Sequence, residues 1–250
     1  MIALPPKTAT VFDAVARLKA IARYTLVGGT ALALHLRHRL SEDLDFAMEG
    51  KRLDRRAVNA VIRGLGRTGF GVARYPHDFE RQTGGNDSFD LDDRQQDFNV
   101  SGVKVSFFIP EYPRDLPQPL LNRCDQPVSG VRTGYIRILN IEALALMKNL
   151  LLATRTATRD LFDIVTLVRC GVVSYAQIFE WHDAYAHGYD FLRSRLMHIG
   201  RPPNDPGVQP LRKDIPADFT ALKRLLAEAM DAYEQQTASQ MLAGHREPGG

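Results

Sequence analysis

The chain has 250 residues, 44% of them hydrophobic and 24% charged, a globular composition that excludes a wholly disordered protein and suffices for one large domain or two small ones. Thirty-two basic residues against 29 acidic ones leave +3 at neutral pH, a balance that permits a nucleic-acid or nucleotide partner without demanding one. No apolar run reaches about 18 residues, and the richest, Ala143-Leu-Ala-Leu-Met147, meets Lys148, which excludes a membrane-spanning helix.

The amino terminus, Met1-Ile-Ala-Leu-Pro-Pro6, has no basic stretch followed by an apolar core, so no secretion signal is expected. The only cysteines, Cys124 and Cys170, fit a reducing compartment and lack the spacing of a metal-ligand pair. A soluble cytoplasmic protein is the expectation. Of the basic residues 25 are Arg and 7 are Lys. Arginine forks suit phosphates, though a genome rich in G and C gives the same bias.

In chain order, Val11, Phe12, Val15, Leu18 and Ile21 predict a helix over residues 10–23 with one buried stripe. Residues 24–27 form a short β-prone run that stops at Gly28-Gly29, residues 30–39 resume as a helix, and residues 43–46 are again strand-like. A third helix is expected over 53–65. Alternation on both sides of Ser101-Gly102 predicts a hairpin within residues 89–108. The proline-bearing stretch 110–130 reads as a connection. Two helical patterns lie between residues 140 and 170, and further helices are expected at 174–187 and 217–241, with a loop at Pro202, Pro203, Pro206 and Pro210 and a frayed tail at 244–250. The organisation is an α/β unit over residues 1–110 and a mainly helical part over 111–250.

The chemistry concentrates between Val27 and Phe46. A strand ending in two glycines turns sharply and approaches a ligand without Cβ obstruction. The helix that follows aims free N–H groups and its positive dipole end at that corner, which favours phosphate. Thirteen residues, Thr30 to Glu42, allow a short helix and a return loop before Asp43-Leu-Asp-Phe46 arrives. On a strand Asp43 and Asp45 share one face, with Leu44 and Phe46 on the other. Two adjacent carboxylates repel unless a cation lies between them, and Mg²⁺ suits their oxygens. A lone D-x-D is more often a solvated turn; the glycine corner at the right offset argues for the functional reading.

The segment from Val27 to Phe46 resembles the first motif of the DNA polymerase β-like nucleotidyltransferase superfamily. More narrowly, His38-Arg-Leu-Ser-Glu-Asp-Leu-Asp45 resembles the AbiEii/AbiGii toxin family. A second motif of that family, a Lys, an Arg seven residues on and then two Asp three apart, is matched by Lys148, Arg155, Asp160 and Asp163. The resemblance implies an α+β fold, a polymerase β-like mixed sheet with flanking helices and a mostly helical C-terminal half. It implies a nucleotidyltransferase core over residues 1–110, with residues 111–250 contributing Lys, Arg and Asp. By the same resemblance Asp43, Asp45, Lys148, Asp160 and Asp163 are catalytic, Lys148 contacting phosphate. Gly28, Gly29, Thr30, Arg39, Ser41, Arg155 and Arg159 bind nucleotide, and Asp43 and Asp45 hold Mg²⁺. The partners implied are a nucleoside triphosphate, an RNA acceptor such as tRNA or a protein acceptor, and an antitoxin, in a toxin–antitoxin or phage-defence pair.

From the residues alone, Asn140 is expected to cap a helix entered from a strand at 135–139, with Leu144, Leu151 and Leu152 on its buried side. The threonines at 154, 156 and 158 favour a break, with Thr158 capping a second helix and Asp160 in its first turn. An Arg–Asp salt-bridged helix face is the plain alternative for this cluster.

The chain departs from the superfamily pattern at Val103-Lys-Val-Ser106-Phe-Phe108, where Ser106 replaces the usual third carboxylate. If Ser101-Gly102 is a two-residue turn, Asp97 pairs with Ser106 and presents its carboxylate nearby as a further metal ligand. Ser106 also motivates a second reading, a catalytically degenerate nucleotide- or RNA-binding regulatory protein of the same fold. A third is a small-molecule nucleotidyltransferase acting on aminoglycosides. Gly64-Leu-Gly66-Arg-Thr-Gly69 spells a dinucleotide motif but follows a helical run and reads as a helix end. Asp90-Leu-Asp92-Asp93 lies too close to Gly84-Gly85 to repeat the first motif, and His35 and His38 lack a third zinc ligand.

Overall fold

The computed structural model describes residues 3–75, 91–111, 116, 120–125 and 128–244. The segment with Gly84, Gly85, Phe89 and Asp90, and the tail from 245, lie outside the described residues. The chain divides into two compact units, Met1–Leu144 and Ala145–Gly250.

The first unit opens with α1 (Pro6–Ala16) and a 3-10 helix (Lys19–Arg23), where sequence periodicity suggests one helix. The helix stops because the Ala16 carbonyl accepts from Tyr135 N–H at 2.8 Å, while Leu18 N–H turns back to Val15 O. Then follow β1 (Thr25–Val27), α2 (Gly28–Leu36), β2 (Leu44–Ala47) and α3 (Arg55–Arg67). The strands β3 (Val72–Arg74), β4 (Gln95–Val100), β5 (Val103–Phe108), β6 (Cys124–Asp125) and β7 (Arg137–Leu139) complete the sheet.

These seven strands order as β3-β4-β5-β2-β1-β7-β6. β1 is antiparallel to β2 and parallel to β7, and β2 is parallel to β5. The mixed sheet with helices around it is the expected fold class. Because β7 pairs with β1, the first unit runs beyond the residue-110 boundary that composition suggests. The hairpin forms as expected: Ser101 and Gly102 both take left-handed backbone, φ 49° and 88°, the conformation of a two-residue turn. Val100↔Val103, Asn99↔Lys104, Phe98↔Val105 and Asp97↔Ser106 are its pairs.

Alternation divides the sheet's faces. Phe46, Phe98 and Phe107 point to one side, where the Phe107 ring meets Phe46 stacked at 5.6 Å and Tyr24 edge-on at 5.1 Å. Asp45, Ser106 and Asp97 therefore share the opposite face. α3 ends at Arg67 with Gly69 at φ +91° and Phe70 N–H bonded to Leu65 O, so Gly64, Gly66 and Gly69 belong to a helix and its end.

α4 (Ile141–Leu151) is capped by Asn140, whose Oδ1 accepts from Ala143 N–H at 2.9 Å. The second unit then holds α5 (Thr158–Arg169), α6 (Tyr175–Tyr185), α7 (Tyr189–His198) and α8 (Phe219–Gly244). The break between α4 and α5 is as expected, but Thr158 does not cap. It is the first residue of α5, and the capping oxygen comes from Asp205, which accepts Thr158 N–H at 2.8 Å. Phe179 is the aromatic centre of this unit, meeting Tyr189 and Tyr233 edge-on.

Candidate active site

The glycine corner meets the Asp45 carboxylate and, through Thr30, the Asp43 backbone carbonyl. Val27, the last residue of β1, stands opposite Asp45 on β2. Gly28 takes φ +70°, and a Cβ there would lie 2.7 Å from Asp45 Oδ2. Only glycine satisfies both conditions, the left-handed backbone and the carboxylate against its Cα. A Cβ on Gly29 would overlap the Arg39 guanidinium and stand 3.1 Å from Ser41 Oγ. The second glycine thus makes room for a buried cation that returns from the loop after α2. Thr30 Oγ1 donates to the Asp43 carbonyl and lies 2.9 Å from Ser41 Oγ, whose hydroxyl can donate back to it, tying the first turn of α2 to the start of β2.

Gly28, Gly29, Thr30, Arg39, Ser41, Asp43 and Asp45 therefore form one connected set on α2, β2 and the loop between them. Arg39 is buried and donates to Leu40 O, whereas Asp43 and Asp45 keep partial solvent access. Leu44 and Phe46, the alternate residues, are wholly buried. His35, on the same helix, is held by Leu139 O at 2.9 Å, which explains it as an anchor to β7.

Ser106 pairs with Asp45 on one side and Asp97 on the other, so the three form a row across β2, β5 and β4. Asp97 lies two strand spacings, about 10 Å, from Asp45. Its carboxylate is engaged by Lys104 Nζ at 3.4 Å and Gln95 Nε2 at 3.0 Å. Among the described residues no three His, Cys, Asp or Glu side chains gather as a metal site. Asp97 is therefore not grouped with Asp43 and Asp45 in a three-ligand cluster, and its carboxylate forms an ion pair with Lys104 on the neighbouring strand. Two carboxylates still fit Mg²⁺, which commonly takes one or two protein carboxylates and fills its shell with phosphate oxygens and water.

The second motif folds into a buried ionic cluster within the second unit. Lys148 Nζ lies 3.0 Å from Asp160 Oδ1 and 2.7 Å from Asp163 Oδ2, with all three side chains almost without solvent contact. Arg155 grips Asp160 with a fork, Nε to Oδ2 at 2.9 Å and Nη2 to Oδ1 at 3.0 Å. Burial alone pushes the Asp160 carboxyl up, but Lys148 and Arg155 together outweigh it and hold it below its ordinary value. The Lys148 ammonium is committed to two carboxylates, and Arg155, whose side chain is 48% exposed, is the cation of the cluster that reaches solvent. Arg159 stands half-buried on α5.

Sequence reasoning missed Asp205, whose wholly buried side chain caps the helix that carries Asp160 and Asp163. Its Oδ1 accepts Gly207 N–H at 2.9 Å, and nothing in its local sequence relates it to α5.

The family described as nucleotidyl transferase AbiEii toxin, type IV toxin–antitoxin system, matches residues 13–245. The chain belongs to this family. It is accordingly a nucleotidyltransferase, and the motifs that define the two sets above lie within the matched span. Among solved structures the chain is similar to JHP933 from Helicobacter pylori, with 21% identity over 96% of this chain and 97% of that one, TM-score 0.44. It is also similar to MenT4, a nucleotidyltransferase toxin from Mycobacterium tuberculosis, with 19% identity over 91% of this chain and 84% of that one, TM-score 0.49. No curated protein matches the chain. No helix among the described residues is long and apolar enough to cross a membrane.

Proposed function

We propose that this AbiEii-family chain transfers a nucleoside monophosphate from a nucleoside triphosphate to a hydroxyl of an RNA acceptor, tRNA being the leading candidate. It would act as the toxin opposite an antitoxin partner. The observation that carries the reading is the Asp45 carboxylate lying directly against the Gly28 corner, at the N-terminal end of α2. A triphosphate held at that helix end by backbone N–H groups of Gly28, Gly29 and Thr30 lies beside the acidic pair. Arg39, packed on Gly29, adds a fixed positive charge to the same corner, and Ser41 holds Thr30 in place.

Asp43 and Asp45 are the residues that would hold Mg²⁺. The ion supplies charge neutralisation for the phosphates and for the developing negative charge on the reacting group. The acceptor oxygen attacks the α-phosphorus, the bond to the leaving oxygen breaks, pyrophosphate departs and the acceptor proton passes to solvent. In the second unit, Lys148 acts through Asp160 and Asp163 by fixing their charge and rotamers, and the nucleotide-binding role of Arg155 and Arg159 is carried over from the family resemblance.

Labelled nucleoside triphosphates with bulk tRNA and Mg²⁺ test the reading. Wild-type protein is expected to transfer label, and chelation of the metal to stop it. Asp45→Asn should lose at least about a hundredfold, the equivalent of about 3 kcal/mol of barrier. It should also weaken Mn²⁺ binding measured by electron paramagnetic resonance. Asp97→Asn, which removes a partner of Lys104 and not a metal ligand, is expected to lose less than about tenfold and to bind Mn²⁺ as before. Transfer that survives Asp45→Asn would overturn the assignment.

A further inference from the structure

The outward face of α3 is a basic stripe that the glycine corner and the acidic pair do not use. Arg56, Arg63 and Arg67 are exposed, and their spacings of seven and four place them along one edge of the helix. From Arg56 to Arg67 the edge runs about 16 Å at about 1.5 Å per residue. Helix Arg55–Arg67 contains no acidic residue. Its inward face, Ala57, Val58, Val61 and Leu65, is buried and accounts for the helix without the arginines.

The stripe extends beyond the helix. A Cβ on Gly64 would lie 2.8 Å from Leu18, so the chain preceding the 3-10 helix is pressed against α3 at that turn. Arg17 and Lys19 flank Leu18 and are exposed. Segments 17–23 and 51–67 together carry nine basic residues and one acidic residue, Asp54, in a chain whose net charge is only +3. Asp54 is occupied as the N-cap of α3, accepting Ala57 N–H at 3.0 Å, and as a partner of Arg23. Asp93, from outside these segments, pairs with Arg52 and Arg55, and the excess that remains lies with exposed Arg17, Lys19, Lys51, Arg56, Arg63 and Arg67.

We propose that this face, Arg56, Arg63 and Arg67 with Arg17 and Lys19, is the surface that binds the phosphate backbone of the acceptor RNA away from the reacting end. The inference rests on the proposed RNA acceptor and adds where its backbone is held. Charge favours a polyanion. The absence of apolar anchors among the outward residues Arg56, Asn59, Ala60, Arg63, Gly66 and Arg67 favours nucleic acid over an acidic protein, whose interface would centre on aromatic or aliphatic side chains. Arginine forks pair with phosphate oxygens in a bidentate way and tolerate any base sequence.

The test is fluorescence anisotropy with labelled bulk tRNA, using wild-type chain, the triple variant Arg56→Gln/Arg63→Gln/Arg67→Gln and Asp45→Asn. Glutamine keeps helix propensity, and circular dichroism verifies the fold. The triple variant is expected to bind tRNA at least tenfold more weakly at about 50 mM salt, with a log–log salt dependence shallower by about 2–3. Asp45→Asn should bind tRNA like wild type while failing to transfer label. Wild-type protein that binds no tRNA, or a triple variant with unchanged affinity and salt slope, overturns the proposal. So does polyglutamate binding as tightly as tRNA and being lost in the triple variant, which would mark an acidic-protein surface. If tRNA binds through the stripe but receives no label, the acceptor reading fails and the surface stands; label transfer with intact binding in the triple variant gives the converse.

Discussion

At the scale of single residues, Lys148 carries the largest energetic consequence. Asp160 and Asp163 are both wholly buried, and the Lys148 ammonium lies within 3.0 Å of each. A carboxylate without solvent needs a compensating charge, and breaking such a pair from one side costs more than the pair contributes. Lys148→Met is therefore expected to lose about 3–5 kcal/mol of stability, read from urea unfolding. Unfolding at an unchanged urea concentration would show that the two carboxylates do not depend on it. The sequence displays Lys148, Asp160 and Asp163 at family offsets, so their grouping was legible. Their desolvation was not, because charge in a sequence carries no record of what buries it. The same contrast holds at the corner: the turn at Gly28 follows from its neighbours, whereas the packing of Arg39 on Gly29 emerges only when the loop closes.

Among the elements, those bounded by local chemistry match expectation most closely. The hairpin follows from Ser101-Gly102, and α4 starts at its Asn140 cap. β3 was missed because half-buried Val72 and exposed Ala73 and Arg74 offer no alternation to read, and α7 because only Leu192 and Leu196 of its ten residues are buried. The start of α5 shows a different limit. Its capping carboxylate belongs to Asp205, 47 positions away, which accepts both the backbone N–H and the hydroxyl of Thr158. Burial pushes the Asp205 carboxyl up, but these bonds, Gly207 N–H and Arg201 outweigh it and lower it. Asp205→Ala is expected to cost about 1–2 kcal/mol, in the range of a lost N-cap, and to lower the melting temperature. Asp205→Asn, which keeps one acceptor oxygen for Thr158 but loses the one that Gly207 N–H uses, should recover part of it. Equal losses for the two variants would mean that charge, not the cap, is what Asp205 supplies.

For the whole molecule, the order of the sheet was the least legible feature, since β7 joins β1 across more than a hundred residues and hydrophobic pattern does not specify a partner. The family resemblance implied a mixed sheet with flanking helices but not the order of its strands. The response of the chain to acid, by contrast, follows from named groups. His182 is wholly buried; its Nε2 donates to Asn149 O at 3.0 Å, and its Nδ1 has no partner among the described residues. A second proton on that ring would sit on an unpaired buried nitrogen, and burial lowers the His182 pKa below its ordinary 6.5. Below pH 6.5 the unfolded chain takes up a proton at His182 that the folded chain refuses, so the unfolded state holds more protons and stability falls as pH falls. Asp160 adds a second, lower window. Its folded pKa lies below 3.8, so its contribution is complete above that value and is lost as pH drops beneath it. The urea midpoint is therefore expected to decline between pH 7 and pH 5. His182→Gln, whose amide can still donate to Asn149 O but takes no proton, should flatten that decline; the same slope in the variant and the wild type would remove His182 as its source.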